Sequence, residues 1–526
     1  VKRHSTTAST TRRIRTTRAT TTALLWVALC CVAGCIVSPV AFAEPALPAG
    51  LEPEKTELPE TVPEDPELEK PELENPEFEE PELPAGMSES PSPEPALPDF
   101  GSDSVFDQES SAGFQWDEAA DDGAAEWLTS SGFGEVRAGT RTRDPIQQRH
   151  TSLAEARLAL DLDADWRAWH SKLSLNLLYD DVADSQHVDL DTGEGWLDLR
   201  EAWVSRRVGR VADLKAGRQI LTWGVGDLLF INDLFPKDWN SFLAGRDEQY
   251  LKAPSDALRM GFYSKLANLN VIYAPRFDSD RFISGDRLSY YNQALGEVAG
   301  RHAIVQVDKP DHSGEDDELA LRVYRNLGSF ELAVYGYEGF WNSPAGFDAQ
   351  SGLATFPALR VYGASVRGPV GPGIFSSEMG YYDSRDDQHG RNPWVNNSEW
   401  RALLGYEWEP VKNTTLGVQY YVEQLQDYDH YRESLAPGQP ARDEHRQVVT
   451  VRLTHLAMNQ NLTLGVFGFY SPSDQDLYLR PSVSYKLTDN WLLAAGLNLF
   501  SGDEPHTFFG QFESNSNAYL AVRFSF

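Results

Sequence analysis

The sequence predicts an all-β fold, a transmembrane antiparallel up-and-down β-barrel of about eighteen strands, preceded by a disordered Pro/Glu-rich tether. Three observations predict it. From Phe133 onward, segments of about ten residues alternate apolar with polar side chains, so each has an oily face and a wet face. Short turns and long polar loops then follow one another in strict alternation, as they do when every long loop gathers at one end of a meander. Finally, the mean hydropathy of −0.44 is too polar for a bundle of membrane helices, while alternating strands leave such an average low.

Composition narrows the partners. The 526 residues include 46 Lys+Arg and 79 Asp+Glu, a formal charge of −33, which argues against nucleic acid because a phosphate backbone requires a basic face. A Gly-X-Y period and sustained heptads are both lacking, and three cysteines are too few for a disulfide scaffold.

Residues 1–43 read as an export signal. Lys2, Arg3, Arg12, Arg13, Arg15 and Arg18 precede an apolar run from Ala23 to Val37, and Ala41-Phe42-Ala43 forms a small-x-small end. The competing reading is lipidation at Cys35, where Val32-Ala33-Gly34-Cys35 resembles a lipoprotein box, although the chain stays apolar through Ala43. Cys30, Cys31 and Cys35 all fall in this signal, so cleavage after Ala43 removes thiolate chemistry entirely. Residues 44–100 hold 14 of the 31 prolines and 18 acids against Lys55 and Lys70. Missing backbone donors and like-charge repulsion make them an extended periplasmic tether, either a spacer or an arm for a partner. Residues 101–132 are expected to form a short periplasmic segment or plug, and residues 133–526 the barrel.

Among the strands, Phe133–Arg143 comes first. In Leu153–Asp163, Ala154, Ala156, Leu158, Leu160 and Leu162 oppose Glu155, Arg157, Asp161 and Asp163; Trp166–Asp180 repeats the pattern. Further strands begin near Trp196, Val211, Ala257, Leu266, Asp317, Ser329, Ala358, Gly373, Asn397, Thr414, His445, Asn461, Leu477, Asn490 and Asn517. Turns are expected at Ala164-Asp165, Gly209-Arg210, Met458–Gln460 and Thr488-Asp489, among others. Long loops are expected at Asp181–Gly195, Thr222–Asp256, Arg276–Asp316, Asp383–Asn396 and Asp427–Glu444. Trp and Tyr at segment ends, such as Trp166, Trp408, Tyr470 and Trp491, suit interfacial girdles.

The wet face should line a lumen. It carries Arg137, Arg141, Arg143, Arg157, Lys172, Arg322, Arg401, Arg446, Arg452, Arg480 and Arg523, with Arg259, Arg360 and Lys486, against acids including Glu135, Glu155, Glu318, Glu378, Glu399 and Glu423. These charges either brace the wall as ion pairs or form a path for anionic solutes, since Arg/Lys rings favour anions and guanidinium matches carboxylate and phosphate. The strands near Trp196 and Val211 resist phasing because of Glu201 and Arg218. The loop Thr222–Asp256 is unusually apolar: Trp223, Phe230, Phe235 and Trp239, with Asp233, are expected either to fold inward and constrict the lumen or to pack on the rim.

Leu199-Arg200-Glu201-Ala202-Trp203, Gly217-Arg218-Gln219, Trp223-Gly224, Asp233 and Pro236 resemble the signature stretch of the alginate-export-type and related porin-like bacterial outer-membrane β-barrel families. The closing segment Asn517–Phe526 also looks like the terminal strand that such proteins present to the barrel-assembly machinery. The resemblance implies an eighteen-stranded channel in the outer membrane of a Gram-negative cell, in contact with lipid and lipopolysaccharide, in some members exporting an anionic polysaccharide. The long acidic tether and luminal acids depart from that pattern. A channel for small or anionic solutes is the first expectation; a structural sheath around a partner in an export or electron-transfer complex is the second. No enzyme motif is present, His170 and Ser171 point to opposite faces of a strand, and the acidic loops lack the spacing of a calcium loop. Neither catalysis nor a cofactor is expected.

Overall fold

The computed structural model describes residues 127–183 and 187–526. The expected signal of residues 1–43 with Cys35, the tether of residues 44–100 and residues 101–126 lie outside them. Within the described chain, eighteen strands form one sheet that closes on itself, with every neighbouring pair antiparallel. In chain order they are β1 Leu128–Arg141, β2 Thr151–Trp166, β3 Trp169–Asp180, β4 Leu197–Val208, β5 Ala212–Ile220 and β6 Pro254–Phe262. β7 Asn268–Ala274, β8 Glu318–Leu327, β9 Phe330–Phe340, β10 Ala358–Val370, β11 Gly373–Ser384 and β12 Glu399–Val411 follow. The last six are β13 Thr414–Leu425, β14 His445–Ala457, β15 Leu462–Ser471, β16 Asp476–Lys486, β17 Trp491–Gly502 and β18 Asn517–Ser525.

Closure is made by β1 against β18, with Val136 opposite Val522 and Ala138 opposite Leu520. Beyond the strand, Gly132 N donates to Phe526 O at 3.1 Å and Phe526 N to Gly132 O at 2.9 Å. No edge is left open, which is the condition for a sheet to sit in hydrocarbon, where each unpaired peptide group costs several kcal/mol.

Side-chain polarity runs opposite to that of a soluble protein. The outward positions are apolar and exposed, among them Val136, Leu158, Leu162, Val334, Leu404 and Leu520, while inward positions bury Arg137, Glu155, Lys215, Arg322, Glu378 and Arg480. Period-two alternation places these two sets on opposite faces.

The structure moves several expected boundaries. β1 starts at Leu128 rather than Phe133 and stops at Arg141, which leaves Arg143 in the following loop. The turn between β2 and β3 is Arg167-Ala168, not Ala164-Asp165, because Arg167 takes a φ of 56° and Trp166 pairs directly with Trp169. The unphased β4 contains a bulge: Ser174 faces Glu201 while Leu175 faces Leu199, so Arg200 has no cross-strand partner. One extra residue reverses the parity. Asp198 and Arg200 therefore face inward before the bulge, and Glu201 and Trp203 after it.

The core lies inside the barrel. Leu228, Ile231, Phe235 and Phe242, from the connection between β5 and β6, pack against Tyr337, Tyr382, Leu403, Tyr478 and Phe500 of the wall. Full burial of one such side chain contributes about 1.5–3 kcal/mol, enough to hold this connection against the wall rather than in water.

Candidate functional site

The site is built on the loop of residues 221–253. Its entrance is fixed by Gln219 of β5, whose Nε2 donates to Gly217 O at 3.1 Å and Ala257 O at 2.8 Å. Gly217, at φ 123°, passes so close to Ala202 that a Cβ would collide with its carbonyl. Inside the barrel, Asp233 accepts from the Thr222 hydroxyl at 2.8 Å and from the Lys237 ammonium at 2.9 Å, with Lys252 at 3.7 Å. A wall residue completes the anchor. Glu378 of β11 accepts Val225 N at 2.8 Å and Gly226 N at 3.0 Å on one oxygen, and Asn232 N at 2.8 Å and Asn232 Nδ2 at 2.9 Å on the other. Beside it the Tyr382 hydroxyl donates to Ile231 O at 2.5 Å.

Trp223 meets Phe235 edge-on at 5.0 Å between ring centres, and Phe230 meets Trp239 at 6.1 Å. Trp239 opens helix α1, Trp239–Ala244, capped by Asp238, which accepts Ser241 N, and ended by Gly245 at φ 94°. Phe242 of this helix rests edge-on against Tyr478 of β16 at 5.7 Å. Trp223, Phe230, Asp233, Phe235 and Trp239 thus all sit in a loop that enters the barrel, rather than in one stacked on its rim.

Beyond α1 the loop becomes charged and meets the opposite wall. Arg137 of β1 donates to Gly245 O at 2.5 Å and pairs with Asp247 at 2.5 Å. Arg523 of β18 also pairs with Asp247, and with Glu135 at 2.8 Å. Arg452 of β14 holds Asp227 at 2.6 Å and Glu248 at 3.2 Å, while Arg480 of β16 donates to Arg246 O at 2.6 Å. Arg246 reaches Glu155 of β2 at 2.6 Å. Tyr250 lies between Arg157, 4.0 Å from its ring centre, and Arg200, at 5.2 Å. Burial alone would raise the Asp247 carboxyl, but Arg137 and Arg523 outweigh it and hold the group below the usual carboxylate range.

A second loop, residues 275–317, also turns inward, contrary to its reading as an outer polar loop. Arg281 pairs with Asp198 at 2.7 Å and Asp238 at 3.4 Å. Arg287 pairs with Asp180 and lies 3.6 Å from Glu155. Asp280 accepts Lys237 N at 2.7 Å and Trp239 Nε1 at 3.0 Å, so this loop clamps the first. Burial pushes the Asp280 carboxyl up, only partly offset by Ser343 and Lys237. The available sequence signal was Phe277 and Leu288, two fully buried side chains set in a polar stretch.

The remaining expected lining residues are spread around the wall with partners of their own. Arg322 pairs with Glu331 at 2.6 Å, Lys172 with Glu201 at 3.0 Å, and Arg446 with Asp474 at 2.7 Å. Arg401 pairs with Glu399, and Arg141 donates to the carbonyls of Thr151 at 3.1 Å and Arg287 at 2.6 Å. Arg143 is exposed outside β1 and pairs with Glu513. Arg200, Arg246, Arg281 and Arg287, also charged and interior, were not among the expected residues. Among the described residues no group of three or more His, Asp or Glu is arranged to hold a metal ion.

No family model and no curated protein matches the chain. Solved structures do. OccD3 (OpdP) of Pseudomonas aeruginosa is similar over 77% of this chain and 92% of its own, at 11% identity and a TM-score of 0.46. OccAB3 of Acinetobacter baumannii is similar over 76% and 99%, at 12% identity and 0.44; the outer membrane channel DcaP of the same organism over 76% and 97%, at 12% and 0.37. The fold is that of the porin-like outer-membrane barrels, an assignment that stands on the closed sheet and its outward apolar face. The residues that carry the family resemblance have structural roles. Arg200 is the bulge residue facing Tyr250, Gly217 permits close strand approach, Gln219 closes the loop's base and Asp233 gathers its lysines.

Proposed function

We propose that this protein is a porin-like channel of the outer membrane that passes small anionic solutes through a lumen narrowed by the 221–253 loop, beside the basic wall that anchors the loop's tip. The carrying observation is the convergence of Arg137, Arg157, Arg452, Arg480 and Arg523, from five separate strands, on that one loop. Guanidinium groups fixed along a lumen favour anions and match the geometry of carboxylate and phosphate. The acids among them, Glu135, Asp227, Asp247 and Glu248, moderate that field and hold the loop. Export of an anionic polysaccharide is the finer reading carried by the sequence resemblance. A loop anchored on both sides of the lumen favours small solutes over a polymer. The outward apolar band contacts lipid and lipopolysaccharide, and the acidic residues 44–100 serve as a spacer or as an arm for a periplasmic partner.

The test is planar-bilayer recording across a potassium chloride gradient. Wild-type protein should give stable steps with a reversal potential on the anion side, and Arg137→Ser with Arg452→Ser should move it toward zero or the cation side. Selectivity unchanged by the double substitution would overturn the arginine path; the absence of any steps would overturn the channel.

A further inference from the structure

The outer face of β2–β4 carries a groove of about 760 Å³ at the short-turn end, lined by Trp127, Ala164, Trp166, Trp169, Ser171 and Val204. Its floor follows from register. Ala164 faces Ser171 across β2–β3, and Ser171 faces Val204 across β3–β4, so three small side chains lie in one row. The row toward the middle of the barrel is Leu162, Leu173 and Ala202; the row toward the turns is Trp166, Trp169 and Arg206. On β2 and β3 the small Ala164 and Ser171 lie between larger leucines and tryptophans, which makes a trough that Val204 continues on β4, and Trp127, 65% exposed, borders it just before β1.

Two cations stand at its edge. The Arg167 guanidinium lies 5.0 Å from the Trp166 ring centre, and that of Arg206 lies 5.0 Å from Trp169. Among the described residues neither has a carboxylate partner, whereas the interior arginines at the loop tip pair with acids. An apolar trough on the lipid-facing side, ending in two uncompensated guanidiniums beside indoles, has the chemistry of an acyl chain below an anionic phosphate.

We infer that this groove binds one anionic glycerophospholipid of the inner leaflet, its phosphate between Arg167 and Arg206 and an acyl chain along Ala164, Ser171 and Val204. The inner leaflet is assigned because short turns face the periplasm, which rests on the membrane orientation of the channel reading.

The experiment uses full-length mature protein, stripped of lipid in detergent and titrated with phosphatidylglycerol brominated on one acyl chain, with tryptophan emission as readout. Wild type should show a saturable quench at about one lipid per chain. Arg167→Ser with Arg206→Ser should raise the half-saturating concentration by about thirtyfold, as expected for two basic residues near an anionic headgroup. Trp166→Phe with Trp169→Phe should remove most of the saturable quench. Three outcomes would overturn the site: quenching that never saturates, an arginine variant that titrates like wild type, or lipid A competing as well as unlabelled phosphatidylglycerol. Both double variants should conduct as wild type does. Wild-type conductance together with a failed titration therefore rejects the lipid site alone, while loss of conductance in wild type rejects the channel reading.

Discussion

Glu378 is a wall carboxylate whose four acceptor contacts all go to N–H donors of the 221–253 loop, and its side chain is fully enclosed. Replacing it by Gln turns one of two acceptors into a donor that faces other donors. A buried mismatch of this kind costs about 1–3 kcal/mol, so Glu378→Gln should loosen the loop without opening the barrel. The expected reading is larger or flickering single-channel conductance with an unchanged folded band on unheated gels; steady wild-type conductance would contradict it. Glu378 also marks what was legible at this scale. Its inward direction follows from alternation along β11, but its partners lie some 150 residues away in the chain, and no local pattern names them. Arg200 was illegible for another reason. A single bulge reverses parity midway through β4, so alternation read from either end fails at the other.

At the scale of the element, the loop of residues 221–253 is an apolar anchor followed by a charged tip. The anchor's apolar character was readable because Leu228, Phe230, Ile231 and Phe235 cannot remain in water, but inward folding and packing on the rim fit it equally, and the tip, Arg246-Asp247-Glu248, looks like any solvated turn. Only the curvature of the closed sheet brings Arg137 and Arg523 to Asp247. Asp247→Asn should remove about 2 kcal/mol of charge-assisted bonding and leave both arginines with Glu135 as their carboxylate. The reversal potential should then move further to the anion side, opposite to the arginine substitutions; a shift toward cations would count against the tip as a moderator of the field. The pH dependence has a definite sign. Because the folded-state pKa of Asp247 is depressed, its contribution is complete above the unfolded value, about 3.9, and is lost only as pH falls through the lower folded value. Asp280 acts in the opposite sense: its raised pKa means that mild acidification relieves a buried charge in the second loop. Recordings stepped from pH 7 to pH 4.5 should therefore show no release of the tip, and a change in selectivity near pH 6 would assign control to another group.

For the whole molecule, the number and direction of the strands were legible, since period-two segments and alternating loops are properties of the chain itself. The seam was not, because alternation cannot say which residue of β1 meets which of β18. The structure sets that register at Val136 opposite Val522 and extends it past the strand, where Phe526 and Gly132 exchange two backbone hydrogen bonds. Gly132 is the residue that admits this contact: a Cβ there would lie 2.9 Å from the Phe526 ring and would press on the Ala159 carbonyl. Deleting Phe526 removes both hydrogen bonds and a large aromatic side chain at the seam, a loss of about 2–4 kcal/mol. Removing all of residues 517–526 is a different matter, because it exposes the facing edges of β1 and β17 along their length, and a bilayer has no water to satisfy them. The single deletion should therefore still yield a folded, heat-modifiable barrel that unfolds at a lower temperature on gels, while the ten-residue deletion should yield none. Equal stability of wild type and the single deletion would show that closure is complete before Phe526 is reached, and insertion of the long deletion would mean that the seventeen remaining strands can close without their partner.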